Sequence, residues 1–372
     1  MKSPGNRPWT SAEAVYDPKR KKGEAIIPRR AAAIVFVLAL VLPLLAPRPA
    51  LAKAEKAKYF WKVATLAPDG VGWAKRIKEM VFPEIERETG GLVKVKVYWG
   101  GVMGDDEDYI KKMRIGQLDG AGLSGQGVTI AAPELSVLEL PFMFNSWDEV
   151  DHLKSVMGKT FDALMAKHGF FLVSWVDQDF DQIYSTKYPM TKLEDFRRAK
   201  MLTWYGPVEE ATLKALGASP IPVNVPELAA TIRSGAADTA IGPAIWVVGA
   251  QMYQVNRYVN VMKIRYSPAM IIVTLKSWNA YPELEPFRKR FFELRDADTR
   301  KYCAVIRQDN ARFLAAMQKY GLQAVSPEPK DLAEIKERTH KVWAELTGKL
   351  YPKELLDELV GCLAQYRRSK GA

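Results

Sequence analysis

Asp177, Asp179 and Asp181 alternate with Gln178 and Phe180, so in an extended strand the three carboxylates share one face. Such a face suits a hard cation such as calcium or an amine on a bound molecule. The plainer alternative is a set of solvated residues at a strand crossing, because the other oxygen ligands of a loop site are missing. Gly120-Ala121-Gly122-Leu123-Ser124-Gly125 fits a dinucleotide-binding glycine pattern, with Glu139 at the spacing of a ribose contact. That pattern needs a strand before it and a long helix after it, whereas Asp119 precedes it and Pro133 cuts the next segment short. Cys303 and Cys362 are the two cysteines; one disulfide and two buried thiols are both open, since spacing alone does not decide. His152, His168 and His340 are scattered and form no zinc-like spacing with them. There is no serine elbow, metalloprotease helix or phosphate loop. The chain is expected not to be an enzyme and to need no metal or cofactor.

The elements that would position such residues alternate in the manner of a parallel sheet covered by helices. Strands are expected at 60–66, 92–98, 118–123, 170–176, 182–186, 199–203, 238–241, 258–261 and 264–275. The second of them, Leu92 to Tyr98, alternates apolar residues with lysine, a half-exposed strand. Helices are expected at 72–88, with a kink or a new turn at Pro83, and at 105–115, 147–167, 208–216 and 226–234. From 282 to 320 the pattern is helical throughout, with Leu294, Tyr302, Ile306, Phe313 and Met317 as core contacts. A helix of that length spans roughly 45 Å or more. Two further helices, 330–347 and 352–367, end the chain.

The N-terminus bears on the compartment. Arg29 and Arg30 precede an apolar run from Ala31 to Ala46, and Ala50-Leu51-Ala52 gives a small-x-small cleavage pattern. Residues 1–52 are therefore read as a signal peptide with an N-terminal extension. The alternative of a membrane anchor is disfavoured, because the run falls short of the ~20 apolar residues of a span and holds Pro43 and Pro47. The 372 residues hold 54 basic and 43 acidic side chains; residues 1–52 account for nine and three of these, leaving the remainder at +5. No basic cluster interleaved with aromatics stands out, so nucleic acid is not an expected partner. A remainder of this size exceeds what one core usually supports, so two lobes are expected.

Several segments in order carry a resemblance. Thr89 to Val97 is followed by Gly100-Gly101-Val102-Met103-Gly104, then Gly116-Gln117-Leu118-Asp119 and Glu139-Leu140-Pro141-Phe142-Met143-Phe144. Leu216-Gly217-Ala218-Ser219-Pro220, Glu227 and Ser234-Gly235-Ala236-Ala237-Asp238 continue it. Together they resemble the solute-binding subunits of tripartite ATP-independent periplasmic (TRAP) transporters. The resemblance implies an α/β, two-lobed periplasmic binding protein of the type II kind, with hinge strands and a long helix spanning both lobes. It would close on a small-molecule ligand and deliver it to TRAP membrane permease subunits. The implied division is lobe I at 53–178 plus about 264–290, lobe II at 179–263, and C-terminal helices at 291–372.

The family's ligand positions are altered in this chain. Its lysine, apolar, arginine pattern falls on Lys200-Met201-Leu202, and a frequent second arginine falls on Asp181 after Phe180. A usually polar pair falls on Ile241-Gly242, ahead of Pro243. Losing a bidentate arginine would remove roughly a thousandfold of carboxylate affinity. Apolar burial contributes about 25 cal/mol per Å² without a charged partner. The expected ligand is therefore apolar or amphipathic. It would be held by Trp204, Tyr205, Ile241, Pro243 and Trp246 beside Leu202, with Asp177 and Asp181 nearby. Ser124 and Gln126 would contribute hydrogen bonds, with Trp73 on the first helix; Asp69 would face the ligand or cap that helix. The alternatives are a carboxylate receptor with a non-standard anchor and a periplasmic sensor subunit.

Overall fold

The computed structural model describes residues 57–204 and 206–371, which belong to one compact unit, Ala54–Ala372. The expected leader and Tyr205 lie outside the described residues. Among those residues no helix is long and apolar enough to cross a membrane.

β1 (Tyr59–Thr65) lies between β2 (Val93–Tyr98) and β3 (Gly120–Leu123), parallel to both. The first connection holds α1 (Gly72–Arg76), a π-helical turn at Ile77–Val81 and α2 (Phe82–Glu88). The expected helix at 72–88 is thus present, and Pro83 opens its last part, where a missing N–H is tolerated. α3 (Asp106–Arg114) returns the chain to the sheet, started by an Asp105 and Asp108 capping box. After β3 come α4 (Gly125–Ala131) and a 3-10 segment, Pro133–Glu139. α5 (Trp147–Lys167) begins where Ser146 accepts the Glu149 N–H.

β4 (Phe170–Ser185) and β8 (Tyr258–Thr274) are long antiparallel partners crossing the molecule. Sequence reading divides each into two strands, and the reason is visible in the ladder. Register shifts at Leu172/Ser174, Asp177/Asp179 and Asp181/Ile183 break the period-two pattern of β4. Lys263, with φ at 55°, breaks that of β8. Between these strands lie α6 (Leu193–Arg198), β5 (Leu202–Thr203), α7 (Pro207–Ala215), β6 (Ile221–Pro222), α8 (Val225–Arg233), β7 (Thr239–Gly242) and α9 (Ala244–Gly249). The main sheet runs β2-β1-β3-β8-β4-β7, with β9 (Gln323–Val325) on β8, and β5-β6 form a small second sheet.

After α10 (Leu275–Asn279), α11 (Glu285–Lys319) runs for 35 residues, about 50 Å. Its early residues Phe287 and Phe291 pack with Tyr59, Trp61 and Trp278. Its late residues Phe313 and Met317 pack with Leu228 and Trp246. One helix therefore holds both ends of the fold together. α12 (Pro329–Leu346) and α13 (Lys353–Ser369) close the chain. Cys303 and Cys362 are free thiols, the first buried on α11 beside the Lys154 ammonium.

Candidate functional site

A cavity of about 300 Å³ opens where the crossing strands meet both halves of the chain. Thr65, Leu66 and Pro68 follow β1, and Leu123 and Ser124 end β3, the strand ends where ligands of α/β sheets collect. Trp204, Val225, Ala229 and Trp246 come from the second half, and Val176, Gln178, Met270 and Ile271 from β4 and β8. Trp73 on α1 and Tyr302 on α11 complete the wall. No arginine, lysine or carboxylate lines it among the described residues.

Local chemistry explains the tryptophans. A Cβ on Gly242 would stand 2.8 Å from Trp246 and 3.4 Å from Trp204. The absence of a side chain there leaves room for the two indoles, whose ring centres are 5.0 Å apart. The Trp204 indole N–H donates to the Ile241 carbonyl at 2.9 Å, fixing that ring. The buried Trp73 Nε1 has no hydrogen-bond partner. It is the wall's one buried side-chain polar atom without one among the described residues. The Ser124 hydroxyl is hydrogen-bonded to the buried Asp106 carboxylate.

Of the residues expected from sequence, Trp73, Ser124, Trp204 and Trp246 line the cavity. The others do not. Leu202 is fully buried in the core with Leu228 and Val259, and Ile241 packs with Met201 and Leu213. Pro243 is buried ahead of α9, and Gln126, half-buried on α4, faces Gly206. Asp69 is exposed, pairs with Lys78 and caps nothing, since the residue preceding α1 is Val71.

The acidic trio is neither solvated nor gathered on one face. The register shift between Asp177 and Asp179 sets Asp177 apart, while Asp179 and Asp181 stay in one register. The Asp177 carboxylate accepts from Lys154 at 2.6 Å, Tyr266 at 2.6 Å and Arg307 at 2.8 Å. Burial would raise its pKa, but Lys154 and Arg307 hold it below the usual range. Burial pushes Asp179 up to about 8 against the opposing Phe180 N–H. Asp181 stands opposite Arg265 in the β4-β8 register and accepts from its Nε at 2.9 Å. Among the described residues no group of three or more His, Cys, Asp or Glu could hold a metal ion.

Arg265 is the residue that sequence reading missed. Its guanidinium, 3 % exposed, also meets Glu209 of α7 at 2.9 Å and Glu139 at 3.3 Å. Three carboxylates thus share one buried cation. Burial raises Glu139 and Asp181 to about 7 despite the attraction of Arg265. Glu209 also accepts the backbone N–H of Trp204 at 3.0 Å, so the cluster braces the cavity wall from behind. A guanidinium does lie near the chamber, then, but it faces carboxylates of the protein itself.

The glycine pattern has a packing explanation. Gly120 and Gly122 lie within β3 instead of in a strand-to-helix loop. A Cβ on Gly120 would stand 2.6 Å from the Ile272 carbonyl, so glycine permits the close approach of β3 and β8. Glu139, assigned a ribose by spacing, is occupied by Thr129 and Arg265.

Comparisons with known proteins agree with this geometry. Residues 64–349 match the family model described as bacterial extracellular solute-binding protein, family 7. The C4-dicarboxylate-binding periplasmic protein DctP of Rhodobacter capsulatus is 26% identical over 291 residues, 77% of this chain and 84% of that protein. The TRAP periplasmic solute-binding protein of Ralstonia eutropha H16, solved with bound (S)-2-acetolactate, superposes with a TM-score of 0.75. It is 22% identical, covering 82% of this chain and 99% of its own. That of Haemophilus influenzae RdAW, with bound L-gulonate, also gives a TM-score of 0.75 at 17% identity, covering 83% and 99%. The family match over most of the chain, on a two-lobed α/β fold with a cavity at its crossing strands, makes this a member of the extracellular solute-binding proteins, family 7, the DctP family of TRAP receptors.

Proposed function

We propose that this chain is the extracytoplasmic receptor of a TRAP-type secondary transporter, exported to the periplasm and handing its solute to membrane permease subunits. Its solute is an organic acid with a substantial apolar body, anchored by something other than an arginine. The observation that carries this reading is the cavity of about 300 Å³ walled by both halves of the chain and both crossing strands. The ligands of the similar proteins are carboxylates. They therefore favour the carboxylate alternative over the apolar or amphipathic solute expected from the altered positions.

The Trp73 indole supports the choice of anchor. A buried N–H without a partner costs about 1–3 kcal/mol; the Trp73 Nε1 has no surface on the open cavity, so a carboxylate oxygen reaches it only where the indole turns toward the solute, and the charge-assisted bond then removes that cost. The apolar body matters as much, since ~100 Å² buried against the tryptophans contributes about 2.5 kcal/mol. Beside the wall, three acids face one arginine. With no cation on the wall among the described residues, a monoanion is easier to desolvate there than a compact dianion.

Native mass spectrometry of gently purified protein, followed by calorimetric titration of the recovered compound, tests the reading. A monocarboxylate with an apolar body is expected, bound at least tenfold more tightly than succinate. A neutral hydrocarbon, or succinate as the tighter ligand, would overturn it.

A further inference from the structure

We infer that the solute cavity continues past Tyr302 into a second chamber, which receives the distal, mostly apolar part of the same acid. This inference rests on the solute class proposed above. The second chamber has a volume of about 250 Å³; Trp61, Ile85, Trp278, Phe287, Phe291 and Leu294 form its apolar wall, and Glu84, Glu88, Arg295, Asp298 and Lys301 also line it. It shares Val176, Ile271 and Tyr302 with the first, so these three side chains are the partition between the two. Known ligand pockets run from about 300 to 1,000 Å³. Either chamber alone is at or below the lower end, and the two joined fall inside the range.

Two features of the partition point to passage. The Tyr302 hydroxyl reaches the Trp73 carbonyl at 3.4 Å, the long limit of a hydrogen bond, and its other neighbours in the partition are aliphatic. The π-helical turn Ile77–Val81 lies alongside: Ile77 lines the first chamber, Met80 and Val81 the second. Single π turns inside helices are rare and concentrate at functional positions; this one places its wider turn where the chambers meet. Trp61, 6 % exposed, lines the second chamber and carries a buried Nε1 with no partner, which an ether, keto or hydroxyl oxygen on the distal part would reach where the ring turns toward the chamber.

Calorimetric titration with straight-chain monocarboxylates from butyrate to decanoate, and with their ω-hydroxy forms, tests the inference. Affinity is expected to rise about three- to fourfold per methylene and to keep rising after the chain outgrows the first chamber. Leu294→Trp and Ile85→Trp fill the second chamber from two different helices and touch nothing in the first. In variants that keep the parent's Tm, butyrate affinity should be unchanged and decanoate affinity should drop at least tenfold. If short acids bind but both fills leave decanoate affinity intact, or the gain stops at short chains, the second chamber is refuted and the receptor reading stands. If no acid of any length binds, the proposed solute class fails and this inference with it.

Discussion

Two neighbouring regions handle polarity in opposite ways. The cavity wall is indole and aliphatic, with one orphan N–H and no charge among its described residues. Behind it, Arg265 is buried with Asp181, Glu139 and Glu209. Trp204 joins them: its indole faces the cavity, and its backbone N–H is held by Glu209. The difference teaches that charge in this receptor ties β4, β8, α7 and the 3-10 segment together, while the solute space is left to apolar contact and neutral donors. Buried ion clusters seldom add net stability, but breaking one is expensive, because the partners are left charged and dry.

The largest effect that would break this comparison is on folding. Arg265→Leu strands three acids in the interior and should cost about 3–5 kcal/mol in denaturant unfolding. A loss under about 1 kcal/mol would mean the cluster does not brace the fold. Next is an effect on binding with little on folding: Trp73→Phe keeps the ring but deletes the orphan N–H. It should weaken the recovered acid about tenfold or more by calorimetry while leaving Tm nearly unchanged.

Stability should also depend on pH in a definite direction. Burial raises Glu139 and Asp181 to about 7 and Asp179 to about 8, so these groups favour the folded state while protonated. Their contribution is full below the usual carboxylate range near 4 and is lost as pH rises through 7 to 8. Asp177, held low by Lys154 and Arg307 against its burial, acts oppositely and loses its contribution as pH falls through its lowered pKa. Thermal unfolding should therefore show a maximum at about pH 4 and a decline of roughly several kcal/mol by about pH 8, with little further change above it. Glu139→Gln should flatten part of that decline. The smallest effect belongs to Asp69→Ala, which removes an exposed pair with Lys78 and should change stability by no more than about 0.5 kcal/mol and affinity not at all.

Local signals explain what could be read from sequence. α5 begins and ends where its amphipathic run and Ser146 cap place it, and the long helical pattern from 282 to 320 became α11. Trp246 packs over Gly242 four residues before it, a local relation. Long-range relations were hidden. Asp181 meets Arg265 across a ladder partner 84 residues away, and a strand bulge set Asp177 apart from Asp179 and Asp181. Tyr302 shares its stripe on α11 with Ile306, and periodicity does not distinguish a core residue from one lining a cavity.

A crystal structure with the recovered acid tests the central claim most directly. A carboxylate oxygen is expected in hydrogen-bond range of Trp73 Nε1, with no arginine or lysine nitrogen within about 4 Å and the Arg265 contacts intact. A carboxylate paired with Arg265, its guanidinium released from Asp181 and Glu209, would contradict it.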